Sequence, residues 1–155
     1  MNDKVNPVPE GFHTVTPYMT IDNAAGAIEF YKEAFGAKEI FRWDGPYGKV
    51  RHAEVVIGDS PIMLHDEAPE YDMSGPQSLD GSPPVHIFLY VEDVDVVFER
   101  AIGAGATELI PVEDHPIEGD RRGGVTDPFG HVWHITTHIE DVSREEIQKR
   151  HDDLE

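Results

Sequence analysis

The chain repeats itself. Ile21-Asp22-Asn23 returns as Val91-Glu92-Asp93 seventy positions on, and Gly36-Ala37-Lys38-Glu39-Ile40 returns as Gly105-Ala106-Thr107-Glu108-Leu109 sixty-nine on. Solenoid units recur every ~20–50 residues, so a period this long marks a duplicated module instead. The pattern around the first copy says what the module contains. Residues 14–21 alternate, with Thr16, Tyr18 and Thr20 on one face and Val15, Met19 and Ile21 on the other, which is the period of a strand. Pro17 inside it has no N–H for a ladder and must face an edge or a bulge. Asp22-Asn23 supplies a cap for a helix over 24–35, and Gly36 stands where a C-cap glycine belongs. Three more strands are expected over 38–44, 49–57 and 61–66, separated by Asp44-Gly45-Pro46-Tyr47-Gly48 and Gly58-Asp59-Ser60.

The second copy follows the same order. A strand over 85–91 leads through Glu92-Asp93 into a helix over 94–104, closed by Gly105, and strands follow over 107–113, 123–126 and 131–137. The last of these comes after Asp127-Pro128-Phe129-Gly130, a turn in which Pro fixes φ and Gly supplies the positive φ that closes it. The expected fold is therefore α+β, with two βαβββ modules over residues 13–66 and 85–138. Residues 67–84 between them are rich in Pro, Gly, Ser and Asp and read as a linker or a loop over a pocket. Ser143-Arg144-Glu145-Glu146 is a capping box opening a C-terminal helix within 143–154. A helix this short is marginal alone and is expected to dock on the body or on a second subunit.

Charge narrows the partners. With 31 acids against 12 bases the net charge is −19, a field that repels nucleic acid and anionic membrane and attracts cationic ligands. The absence of cysteine excludes disulfides, a thiolate nucleophile and Cys-based zinc sites. No apolar run reaches the ~18 residues a transmembrane helix needs. The start Met1-Asn2-Asp3-Lys4-Val5-Asn6-Pro7 lacks the basic and apolar regions of a signal peptide, which sets the expectation of a cytoplasmic protein.

Alternation also sorts each sheet into two faces. One holds Met19, Ile21, Ala53, Val55, Ile62, Leu64, Ile87, Leu89, Trp133 and Ile135, suited to packing under a helix. The other holds Thr16, Tyr18, Phe41, Trp43, His52, Glu54, Met63, His65, His86, Phe88, Tyr90 and His134, an aromatic surface with four imidazoles and a carboxylate. His52 and Glu54, two apart on one strand face, suit a base and its orienter, a metal-ligand pair, or a plain cross-strand polar pair. Arg121 and Arg122, in the turn-rich stretch between Gly119-Asp120 and Gly123-Gly124, suit a carboxylate or phosphate clamp, or an ion pair with a nearby acid. His131 sits where it would cap its turn. His13, His115, His138 and His151 have no evident partner and are expected to be solvated.

The motifs carry a resemblance. Ala27-Ile28-Glu29-Phe30-Tyr31 with Phe35-Gly36-Ala37, Leu89-Tyr90-Val91-Glu92-Asp93-Val94-Asp95 and Asp127-Pro128-Phe129-Gly130-His131 resemble the vicinal oxygen chelate superfamily of glyoxalases, bleomycin-resistance proteins and extradiol dioxygenases. Residues 30–37, His52-Ala53-Glu54, Gly119-Asp120-Arg121 and residues 137–143 resemble its PhnB-like branch. The resemblance implies divalent-metal positions on the first and last strands of each module, which fall on Thr16 and Met63 in one copy and on His86 and His134 in the other. It also implies that the two modules are paired, their curved sheets forming a cup, and that the protein is a homodimer. Three functions follow as alternatives. The pocket binds a small cationic or aromatic ligand through Phe41, Trp43, Phe88 and Tyr90, with Thr16, Tyr18, Met63 and Arg121 around it. Or His86 and His134, with His65 or Glu54, hold Zn²⁺, Ni²⁺, Mn²⁺ or Fe²⁺ for a lyase, isomerase or dioxygenase in which His52 and Glu54 act catalytically. Or the histidines are hydrogen-bonded pocket residues of a non-catalytic assembly or regulatory protein.

Overall fold

The computed structural model describes residues 4–155; the first three residues of the Met1–Pro7 start lie outside them. The chain divides into two compact units, one ending at Gly81 and one beginning at Ser82. In the first, β1 (Tyr18–Ile21), α1 (Ala24–Phe35), β2 (Lys38–Asp44), β3 (Val50–Ile57) and β4 (Ser60–Asp66) form a sheet of order β1-β4-β3-β2. β1 runs parallel to β4 and the other pairs are antiparallel. Asn23 caps α1, its side chain accepting from the Gly26 N–H, and Gly36 ends it at φ 68°, a conformation that costs a glycine little. α1 buries Ala27, Ile28, Tyr31 and Ala34 over Met19, Ile21, Ala53, Val55 and Leu64. Asp66 ties the layers at one end, accepting from Ala24 N at 2.7 Å and from Val50 N at 2.6 Å.

The second unit repeats the topology. β5 (Ile87–Tyr90), α2 (Val94–Ala104), β6 (Thr107–His115), β7 (Asp120–Thr126) and β8 (Val132–His138) give the order β5-β8-β7-β6, with β5 parallel to β8. Asp93 caps α2 through the Val96 N–H. α2 buries Val94, Phe98 and Ala101, and the sheet beneath it buries Val125, Trp133 and Ile135. Gly123 lets the helix approach closely, because a Cβ there would come within 3 Å of Phe98 and Val112. The mixed four-stranded sheets with their helices, and α3 (Arg144–Asp152) after them, are the expected α+β fold. Among the described residues no helix is long and apolar enough to cross a membrane.

Three strands start two or more residues from the expected position. β1 starts at Tyr18 rather than at residue 14; Pro17 has no N–H to donate, and its carbonyl accepts instead from Met63 N at 2.9 Å. β5 starts at Ile87, after Pro83-Pro84, so Thr16 and His86 precede their strands rather than standing in them. β7 starts at Asp120, three residues before the expected strand, and pairs with β8 along its whole length. Residues 67–81 belong to the first unit, where short 3₁₀ turns at Pro69–Tyr71 and Pro76–Ser78 and a Glu67 bond from the Gly75 N–H give them structure. Glu67, Tyr71 and Met73 line a cavity of about 390 Å³ together with Tyr18 and His65. Ser143 caps α3 by accepting from the Glu146 N–H, and Arg150 holds the helix through the Pro116 carbonyl and Glu140.

Candidate functional site

Strand register places the expected side chains in rows on the sheet face away from each helix. In the first unit Tyr18 stands opposite Met63, Met63 opposite Glu54, and Glu54 opposite Phe41. Beside this row Thr20 stands opposite His65, and Trp43 opposite His52. The His52 ring lies 3.0 Å from Glu54 through Nε2 and near the rings of Tyr18 and Phe41, at 6.1 and 6.4 Å between centroids. His65 is buried against Tyr18 (4.5 Å between centroids). Its Nδ1 lies 2.7 Å from the Asp66 carbonyl, which can only accept, so Nδ1 carries the proton and Nε2 accepts from the Thr20 hydroxyl at 2.9 Å. Both of its nitrogens are thereby engaged. Thr16 bonds locally, donating to the His13 carbonyl.

In the second unit Phe88 stands opposite His134, and His134 opposite Gly124. His86 Nδ1 and His134 Nε2 are 3.0 Å apart, and the Phe88 ring stacks on His134 at 4.9 Å and 18°. Tyr90 lies beside Phe88 at 6.2 Å. Burial pushes the His134 pKa down from its ordinary value, and the positive charges of His86 and Arg122 push it further in the same direction. His134 is accordingly a neutral imidazole at neutral pH.

Neighbouring arginines on β7 do different work. Arg121 grips both oxygens of Asp95 at 2.9 Å and reaches Asp114 at 3.0 Å. These bonds raise its pKa above the usual arginine range and lower that of Asp95. Arg121 thus ties α2 to the β6–β7 hairpin, the ion-pair role. Arg122 instead lies over the Phe88 ring, its guanidinium carbon 5.9 Å from the centroid. Of the two arginines that suit an anion clamp in the sequence, it is the one whose guanidinium stands on the open face. Alternation along β7 separates them. His138 is not simply solvated either: Nδ1 reaches Asp120 and Nε2 reaches Asp141, both at 2.8 Å. The Asp120 bond, with that of Asp141 behind it, raises the His138 pKa.

A metal tests the donor set. Two imidazole nitrogens on one ion, with bonds of about 2.0–2.1 Å, are separated by roughly 3.0–3.4 Å, and the His86–His134 spacing fits that. The number of donors does not. Among the described residues no three His, Cys, Asp or Glu side chains come together as a metal-binding group. Both His65 nitrogens are already bonded, Glu54 is bonded to His52, and the Arg122 charge beside His134 opposes a cation.

The comparisons with known proteins fit this architecture. The sequence profile of the Glyoxalase/Bleomycin resistance protein/Dioxygenase superfamily matches residues 11–135. The chain belongs to that superfamily. An uncharacterized protein of Mycobacterium tuberculosis is 44% identical over 138 residues, covering 86% of this chain and 79% of its own. Among solved structures, TioX from Micromonospora sp. ML1 is 27% identical with a TM-score of 0.64, over 82% of this chain and 99% of its own. The PhnB protein from Bacillus cereus gives the same TM-score at 18% identity, over 81% and 99%. The fosfomycin resistance protein FosX from Listeria monocytogenes, solved with Mn(II) and a dihydroxypropylphosphonic acid, is 18% identical with a TM-score of 0.62, over 90% and 97%. At that identity both show the shared fold alone.

Proposed function

We propose that this superfamily member binds a small ligand carrying an aromatic ring on the helix-free faces of its sheets. One observation carries the reading: those faces keep large rings in the open, with Trp43 60%, Tyr90 64% and Phe88 48% exposed, while the opposite faces are closed by α1 and α2. Rings held by neighbouring side chains offer stacking area at low entropic cost. Tyr18, Phe41 and Met63 supply that surface in the first unit, with Thr16 at its edge; Arg121 holds the second unit's frame. His52, oriented by Glu54, is the pair able to move a proton if the bound molecule reacts. The dimer implied by the resemblance is part of this reading, and a monomer mass in light scattering would remove it.

The two tryptophans make the test direct. Trp133 is fully buried and donates to Asp127, whereas Trp43 is exposed on the proposed surface. Titrating cationic, neutral and anionic aromatic compounds should quench the red-shifted Trp43 emission and leave the blue-shifted Trp133 emission alone. Trp43→Phe should abolish the response without changing the circular dichroism. No quench across such a panel sinks the proposal. The metal-dependent alternative keeps one observation in its favour, the 3.0 Å approach of His86 and His134. No thermal shift with Ni²⁺, Zn²⁺ or Mn²⁺, and less than about a tenth of an equivalent of metal in untagged protein, removes it.

A further inference from the structure

Arg122 is the least engaged cation of the second unit's open face. Its guanidinium makes no hydrogen bond to another described residue, and its nearest acid, Asp120, stands at 3.7 Å with its other oxygen already bonded to His138. Glu113 is its cross-strand neighbour on β6. The guanidinium lies over Phe88 of β5. The side chain is only 24% exposed, so its stem is packed while its donors are unspent. A guanidinium presents five N–H groups in a planar fork that fits a carboxylate or phosphate bidentately. The paired imidazoles add to this. Bonded to each other through His86 Nδ1 and His134 Nε2, they leave one further ring nitrogen each for a ligand.

The duplication shows what is distinctive here. Glu54 stands opposite Met63 in the first unit, and Gly124 stands opposite His134 at the same register in the second. Two positions earlier are His52 and Arg122. The second copy has thus removed a carboxylate and added a fixed cation. The chain's charge of −19 repels anions at a distance. Beyond ~8–10 Å physiological salt screens that repulsion, and at bonding distance the guanidinium decides.

We infer that the second unit's open face selects an aromatic carboxylate, its ring stacked beside Phe88 and His134 and its carboxylate taken by Arg122. This rests on the binding function proposed above and names the charge of the ligand for this face. Calorimetric titration with 2-naphthoate, 2-naphthamide and 2-naphthylmethylammonium tests it, with the His86 and His134 ring-proton signals locating the contact. Naphthoate should bind at least about tenfold more tightly than the amide and shift both histidines. Arg122→Met should erase that preference while leaving amide binding in place, and Glu113→Gln should leave the preference intact. Equal affinities in the unaltered protein, or a preference that survives Arg122→Met, overturn the inference while the binding function stands. Should none of the three bind, the inference falls, and the fluorescence panel decides separately whether the binding function falls with it. A melting curve and circular dichroism spectrum matching the parent confirm that Arg122→Met is folded.

Discussion

Replacing Asp127 by Asn changes one atom and should cost the second unit about 3 kcal/mol. Asp127 is buried, and its two oxygens serve at least three donors. Oδ2 accepts from the Trp133 indole at 2.9 Å, and Oδ1 accepts from the backbone N–H groups of Phe129 at 2.9 Å and His131 at 3.0 Å. An asparagine has one oxygen and one NH₂. If the oxygen keeps the two backbone donors, the NH₂ faces the indole N–H and both donors are left buried. If the amide flips, the indole is satisfied and two backbone donors are not. Either way a charge-assisted bond worth about 1.5–3 kcal/mol is lost, and the unmet donors add to it. A double-mutant cycle isolates the cause. With Trp133→Phe there is no indole N–H to oppose, so Asp127→Asn should then cost only about 1 kcal/mol. Urea denaturation of the four proteins, followed by far-ultraviolet circular dichroism, measures the coupling. Costs that add to within about 0.5 kcal/mol would refute the reasoning. The outcome bears on the site, because the same turn sets the phase that points His134 to the open face.

Two titrations follow from the histidines. His138 is bound by Asp120 and Asp141 and its pKa is raised from 6.5, so its stabilising contribution is complete below that value and disappears as pH rises through the raised folded one. His138→Gln should therefore lower the unfolding midpoint more at about pH 5.5 than at about pH 9; a gap that does not change with pH would refute the ion pairing. His134 behaves oppositely. Its folded pKa is lowered from 6.5, so the unfolded chain takes up that proton more readily and His134 subtracts stability as pH falls below 6.5. Arg122→Met should move its titration up toward the ordinary value, read from the ring proton by NMR, and an unmoved midpoint would show that the guanidinium does not act on it.

Which face a residue takes is legible in the sequence, because burial under α1 or α2 imposes period two on every strand. The helices are legible because their ends are chemical: Asp93 and Ser143 accept from the first turn, and Gly36 leaves in the left-handed conformation. What the sequence hides is contact at long range. The Arg121 bond to Asp95 spans 26 residues, and the His138 bond to Asp120 spans 18. No local pattern announces either, so His138 reads as solvated and residues 120–122 as a turn. Depth is hidden as well. Tyr18 and His65 sit on one face of adjacent strands, yet Tyr18 is half exposed and His65 is closed in.

The two copies also show where a duplicated scaffold is free to change. Beneath the helices the register pairs Val55 with Ile62 and Val125 with Trp133, then Ala53 with Leu64 and Gly123 with Ile135. Every one of these is small or apolar. A polar group placed there would lose its hydration with no partner, at about 1–3 kcal/mol on mutational scales. The open faces carry no such constraint. There Glu54 and Met63 in one copy answer to Gly124 and His134 in the other, and Thr20 answers to Tyr90. The fold tolerates these exchanges because they touch no packed layer. The differences between copies therefore report on what each face meets rather than on what holds it together. Arg122 and the imidazole pair belong to that class of residue, and so does the His52–Glu54 pair.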